Sequence, residues 1–146
     1  MPVLLNEPKS APFDIKLDCA GIGMVFDING RRTEDEAFSI SLSSACNLTK
    51  DVPFHFSPRP KKKNIALNTM KSGKWGKEQV VSWDDTFNVN IDFQLRLIVT
   101  QNGFEVYDRR ETVPRCIANL ARRLEMDCNY LVFGGQGCTV TFVDRC

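Results

Sequence analysis

Histidine is almost missing from this 146-residue chain, in which His55 is the only one. A lone imidazole cannot complete a Cys₂His₂ site. The six cysteines, Cys19, Cys46, Cys116, Cys128, Cys138 and Cys146, include no CxxC pair, so zinc is not expected. No carboxylate cluster suits calcium either. A net charge of +1 gives no pull toward nucleic acid or an anionic membrane. Apolar runs are short throughout, and the opening MPVLLNEPKSAP is interrupted by Asn6, Glu7 and Lys9 before it could form a signal-peptide core. The expectation is a protein made and folded in the cytosol, with no cofactor, no metal, no nucleic-acid partner and no membrane insertion. In that compartment most thiols should be free and buried as small hydrophobes, with Cys146 the exposed one. The sequon Asn47-Leu48-Thr49 should then stay bare.

Paired catalytic groups are equally scarce. Glycoside hydrolysis needs two carboxylates facing one groove. Asp84 and Asp85 are adjacent, so a strand would point them to opposite faces, and Glu34, Asp35 and Glu36 read as a polar loop. No Ser-His-Asp or Cys-His set can be argued into contact. Enzymatic activity is not expected.

What the chain has is alternation. Phe13, Ile15 and Leu17 alternate with Asp14, Lys16 and Asp18; Met24, Phe26 and Ile28 alternate up to a turn signal at Asn29-Gly30; Phe38, Ile40 and Leu42 alternate with serines. The longest run is Val89, Ile91, Phe93, Leu95, Leu97 and Val99 against Asn90, Asp92, Gln94 and Arg96. It ends at the hairpin signal Asn102-Gly103 and returns through Phe104 and Val106. Strict alternation means one buried and one wet face. The predicted fold is therefore all-β, an antiparallel two-sheet β-sandwich over residues 1–146 as a single domain. Thr139–Val143 should pair near the N-terminal strand. One segment breaks the period. After Pro114, the residues Ile117, Leu120, Ala121 and Leu124 fall at helical spacing, which predicts a short helical turn near 115–124.

The stretch from His55 to Glu78 gathers the only His, an Arg, two Asn, a Trp and a Glu. On a strand over Val52–Arg59, His55, Ser57 and Arg59 share one face while Phe54 and Phe56 share the other. A second strand over Asn64–Met70 puts Ile65 and Leu67 on one face and Asn68 on the opposite one. The turn Lys71-Ser72-Gly73-Lys74 leads to Trp75-Gly76 and a third strand over Lys77–Trp83. Three consecutive antiparallel strands would align His55, Arg59, Asn68 and Glu78, with Trp75 as a wall. An indole with several fixed hydrogen-bonding groups suits a pyranose, whose C–H face is apolar and whose rim is hydroxylic. A direct contact from His55 would make affinity change between roughly pH 5 and 8. The basic turn Lys61-Lys62-Lys63 reads as solvated.

These residues resemble the carbohydrate-recognition segment of galectins, the β-galactoside-binding lectins, whose pattern is His-x-Asn-Pro-Arg, Val-x-Asn and Trp-Gly-x-Glu-x-Arg. The matching pieces are His55-Phe56-Ser57-Pro58-Arg59, Leu67-Asn68 and Trp75-Gly76-Lys77-Glu78-Gln79-Val80. The details resemble divergent invertebrate, sponge-type galectins more than vertebrate ones. The resemblance implies a jelly-roll sandwich and a non-enzymatic lectin for terminal β-galactosides such as lactose and N-acetyllactosamine-like glycans. It assigns His55 and Arg59 to the axial 4-hydroxyl of galactose, Asn68 and Glu78 to the 6-hydroxyl, and Trp75 to the apolar face. Two positions depart: Ser57 replaces the family's Asn and would reach the 4-hydroxyl only through water, and Val80 replaces the final Arg. The resemblance further implies a homodimer or homotetramer that cross-links glycans, and action outside the cell by non-conventional secretion. Near Pro114 the chain reads as carrying an insertion, with Arg115, Arg122 and Arg123 facing a partner subunit. The alternative is a galectin-fold protein-interaction module whose sugar site has decayed at Ser57 and Val80.

Overall fold

A computed structural model describes residues 3–18, 21–33, 35–89 and 91–146. The expectations for Cys19, Glu34 and Asn90 lie outside the described residues. Among the described residues, fourteen strands follow in chain order: β1 Val3–Leu5, β2 Lys9–Ser10, β3 Phe13–Lys16, β4 Val25–Arg32, β5 Phe38–Ser43, β6 Val52–Arg59 and β7 Asn64–Lys71. After them come β8 Lys74–Trp75, β9 Gln79–Ser82, β10 Asp92–Val99, β11 Phe104–Asp108, β12 Arg115–Leu120, β13 Tyr130–Gly135 and β14 Cys138–Arg145. Among the described residues they form two antiparallel sheets. One runs β1-β14-β4-β10-β11-β12 with β2 on β14; the other runs β3-β13-β5-β6-β7-β8 with β9 on β7. This is the two-sheet sandwich that the alternation implies, and β14 pairs with the N-terminal β1 and β2 as expected.

The period-2 residues of both sheets meet in an aromatic core. Phe26, Phe38, Phe54, Phe56, Phe87, Phe93, Phe104 and Phe133 are all fully buried. Phe54 stacks on Phe104 with ring centroids 4.8 Å apart, and Phe38 on Phe93 at 5.9 Å, which ties one sheet to the other. In β10 the inward residues are Phe93, Leu95, Leu97 and Val99. Val89 and Ile91, which extend the same alternation, lie before the strand and are exposed. The chain instead makes a 3-10 turn over Asp85–Phe87, capped by the Asp84 side chain, which accepts from the Thr86 N–H.

Four local expectations need correction. Residues 115–120 form β12 rather than a helical turn. Their backbone pairs with β11, whose edge would otherwise be unpaired, and Ala118 and Leu120 point inward at strand spacing. Asn29-Gly30 is no turn but the middle of β4, opposite Gln94 and Phe93. Gly30 is there because a Cβ would lie 2.6 Å from both the Phe93 ring and the Thr139 carbonyl oxygen. The serine face of β5 is not wet: Ser39, Ser41 and Ser43 are as buried as Phe38, Ile40 and Leu42. Finally, burial of the thiols holds for Cys128 and Cys138, whose pKa values burial pushes up to about 12, while Cys46, Cys116 and Cys146 are exposed.

Candidate functional site

The candidate residues are carried by three adjacent strands whose register brings them together. In β6–β7, His55 lies opposite Asn68, Ser57 opposite Ala66, and Arg59 opposite Asn64. The β7–β8 turn has Ser72 and Gly73 at φ 51° and 79°, positive at both central positions as a tight hairpin requires, and it returns Trp75 to a place opposite Met70. β9 resumes pairing only at Gln79, opposite Leu67. Gly76, Lys77 and Glu78 therefore stand against Asn68 and Thr69, one residue in excess. The resulting bulge frees Glu78 from the ladder and turns it toward Arg59.

His55, Arg59, Asn68, Trp75 and Glu78 line one groove of about 280 Å³. Trp75 is 44% exposed, and its ring centroid lies 4.8 Å from that of His55. Arg59 Nη2 donates to Glu78 Oε1 at 2.5 Å. With these side chains 26% and 41% exposed, the pair contributes little to stability, and its effect is to fix the guanidinium fork and one carboxylate oxygen. Ser41, buried behind the groove, shares a 2.8 Å hydrogen bond with His55 Nδ1. Burial, and then the Arg59 charge, lowers the His55 pKa to about 4, against a weaker opposing effect of Glu78. His55 is thus neutral at physiological pH. When the Ser41 hydroxyl donates to Nδ1, the proton sits on Nε2 as a donor.

Three residues behave differently from the sequence reading. Ser57 is buried and does not line the groove, donating its hydroxyl to the Phe38 carbonyl at 3.1 Å. Arg122, which the sequence placed toward a partner subunit, enters the site. Its Nη1 donates to Asn68 Oδ1 at 3.2 Å and its Nη2 donates to the Lys77 carbonyl. Arg115 is also engaged within the chain, forking onto Asp84 at 2.7 and 3.1 Å. The Arg122 contact spans 54 positions and starts from irregular chain after β12, so no periodicity could have disclosed it. Val80, on β9 opposite Ala66, is half-exposed and brings no charge.

A larger open cavity of about 690 Å³ lies apart from these residues, walled by Trp83, Asp84, Asp85, Asp108, Arg110 and Arg115 among others. Its guanidinium groups are committed to those carboxylates, and the Trp83 ring carries Arg32 at 5.7 Å and Lys63 at 5.5 Å. Asp84 is unsuited to acid catalysis. Its bond from Arg115 is the largest influence and holds its pKa well below the usual carboxylate range, whereas a general acid needs the opposite shift.

Comparison with known proteins concerns the family and the fold. A family model described as galactoside-binding lectin matches residues 12–113. A 32 kDa beta-galactoside-binding lectin of Haemonchus contortus is 29% identical over 112 residues, covering 70% of this chain and 39% of its own length. Its namesake in Caenorhabditis elegans is 30% identical over 112 residues, covering 70% and 40%. The chain thus spans about two fifths of the length of these relatives. Among solved structures, the Caenorhabditis elegans galectin LEC-6 superposes with a TM-score of 0.82 at 16% identity, over 99% of this chain and 95% of that one. Chicken galectin 2 gives 0.72 at 23%, over 91% and 97%. At such identities the structural likeness concerns the fold.

Proposed function

Because the chain belongs to the galactoside-binding lectin family, the galectins, which bind carbohydrate and are not enzymes, we propose that its groove binds the terminal galactose of β-galactoside glycans. The observation that carries this reading is the convergence of His55, Arg59, Asn68, Trp75 and Glu78 on one groove. The exposed Trp75 ring removes the apolar face of the sugar from water. Neutral His55 and the fixed fork of Arg59 address the axial 4-hydroxyl, and Asn68 and Glu78 address the 6-hydroxyl. Ser57 gives its hydroxyl proton to the Phe38 carbonyl, so toward a ligand or a bridging water it can only accept. With Val80 in place of a cation, the sugar following galactose is held less tightly. Lactose and N-acetyllactosamine-like termini are the expected ligands, presented on glycoproteins or glycolipids. Binding takes place outside the cell after non-conventional export, and cross-linking follows from a homodimer or homotetramer.

Titration of lactose by calorimetry with Trp fluorescence, sucrose serving as control, tests this reading. A Kd on the order of 0.1 mM, about 5.5 kcal/mol, is expected of so shallow and open a groove. Trp75→Ala should weaken lactose at least about tenfold, a stacking contribution of about 1.4 kcal/mol, and leave the fold intact because the ring is half-exposed. Sucrose should give no signal. A lactose-silent protein would favour the second reading, a galectin-fold interaction module. The specific observation for that reading is the half-exposed apolar Val80, two residues after Glu78, with Ser57 absent from the groove lining.

A further inference from the structure

The side-chain amide of Asn68 has little hydrogen-bonding capacity left for a ligand, and what is left has one sign. Its Oδ1 accepts from the Thr69 N–H at 2.8 Å and from Arg122 Nη1 at 3.2 Å, which occupies both lone pairs. Its Nδ2 donates one hydrogen to the Gly76 carbonyl at 3.0 Å. A single N–H remains. Rotating the amide by half a turn would set its NH₂ against the Thr69 and Arg122 donors and its oxygen against the Gly76 carbonyl, so each of the three bonds would become a repulsion.

Without Arg122 the oxygen would keep one free lone pair, and the barrier to rotation would rest on two contacts. Arg122 is itself held in place. Its Nη2 donates to the Lys77 carbonyl in the bulge, and its backbone N–H donates to the Leu120 carbonyl at 2.9 Å. Gln79 Nε2 donates to the Asn119 carbonyl at 2.8 Å, binding the end of β12 to β9. A guanidinium from beyond the edge strand of one sheet thereby reaches a site carried on the other.

We infer that Arg122 is a positioning residue that locks Asn68 as a pure donor toward the groove and thereby sets selectivity for one ligand hydroxyl. Glu78 lines the same groove, an acceptor whose Oε1 is anchored by Arg59. A group placed between the two must accept from Asn68 and donate to Glu78. A hydroxyl does both, whereas hydrogen does neither and an ether only accepts. On the reading above, on which this inference rests, that group is the 6-hydroxyl of galactose.

The test compares lactose with 6′-deoxylactose on the full chain and on Arg122→Leu and Arg122→Lys. The wild type should prefer lactose about tenfold, the worth of a well-placed hydroxyl. Arg122→Leu should reduce that ratio to about threefold or less by weakening lactose alone, with thermal stability held. Arg122→Lys, able to reach Asn68 or Lys77 but not both, should fall between. General damage to the groove would weaken both sugars together, and an unchanged ratio in Arg122→Leu overturns the inference. A wild type that binds neither sugar defeats the galactoside reading. Arg122 is then decided by the Asn68 side-chain NH₂ pair in a ¹⁵N–¹H spectrum. Faster amide rotation or exchange in Arg122→Leu upholds the lock, and an unaltered pair refutes it.

Discussion

An unperturbed imidazole titrates near 6.5, yet in His55 burial and the neighbouring Arg59 bring the pKa to about 4. The pH dependence suggested by the sequence between 5 and 8 therefore moves downward, because across that window the ring stays neutral and His55 can remain a direct contact with a flat profile. Lactose affinity, measured by calorimetry in steps from pH 8 to 4, should hold constant to about pH 5 and fall as pH approaches 4. Protonation would reverse the Ser41 bond, with Nδ1–H donating to the hydroxyl, and would set a second cation beside Arg59. A midpoint near 6.5 would show that the ring is not buried as described. Stability follows the same sign. The unfolded chain takes up the His55 proton near 6.5 and the folded chain only near 4, so this contribution is complete above pH 6.5 and is lost as pH falls toward 4. Asp84, whose pKa is lowered chiefly by Arg115, adds a further loss once pH drops below its ordinary value of 3.8.

Strands make themselves known in sequence because their side chains alternate strictly, which is why β4, β5, β6 and β10 could be read from Phe26, Phe38, Phe54 and Phe93 and their neighbours. β12 could not. Ile117, Leu120 and Leu124 satisfy a helical period as well as a loose strand, and the decision came from the unpaired edge of β11, a tertiary fact. Gly30 misled for a related reason: a glycine that yields space to Phe93 looks, in one dimension, like a glycine that makes a turn. The site was legible where the register of β6 and β7 delivers it, at His55, Arg59 and Asn68, and hidden where irregular chain does, at Arg122. The link between the β10–β11 hairpin and Arg122 is steric. Gly103, at φ 152°, closes the turn, and a Cβ there would stand 2.0 Å from the Leu120 carbonyl oxygen and 2.9 Å from the Arg122 nitrogen. Gly103→Ala must push this backbone away. It should cost about 2–3 kcal/mol, read as a lower urea midpoint with an unchanged slope. The displaced Arg122 should also reduce the preference for lactose over 6′-deoxylactose. A variant as stable as the wild type would mean that the turn and β12 separate without cost.

Small sugars offer little area to bury, so one shallow groove cannot by itself give a lasting hold on a cell surface. Durable attachment requires that two grooves act on one glycan-bearing surface, where the second contact forms at an effective concentration set by the distance between sites and raises avidity by about 10²–10⁴. The sugar-binding reading therefore makes a demand on assembly that is separate from its demand on the groove. Sedimentation velocity joined to agglutination of lactose-coated beads examines both at once. The expected outcome is a dimer or larger species that clumps beads and releases them when free lactose is added. Trp75→Ala, altered only at an exposed ring of the groove, should sediment as the wild type does and clump nothing. A protein that binds lactose yet sediments as a monomer and leaves beads dispersed would take cross-linking out of the function and leave the groove standing. If Trp75→Ala still clumped beads in a lactose-sensitive way, the groove would be wrong and the assembly right. Binding and valency fail by different measurements because they would rest on different features: binding on the groove of β6 to β9, and valency on a second groove held alongside it.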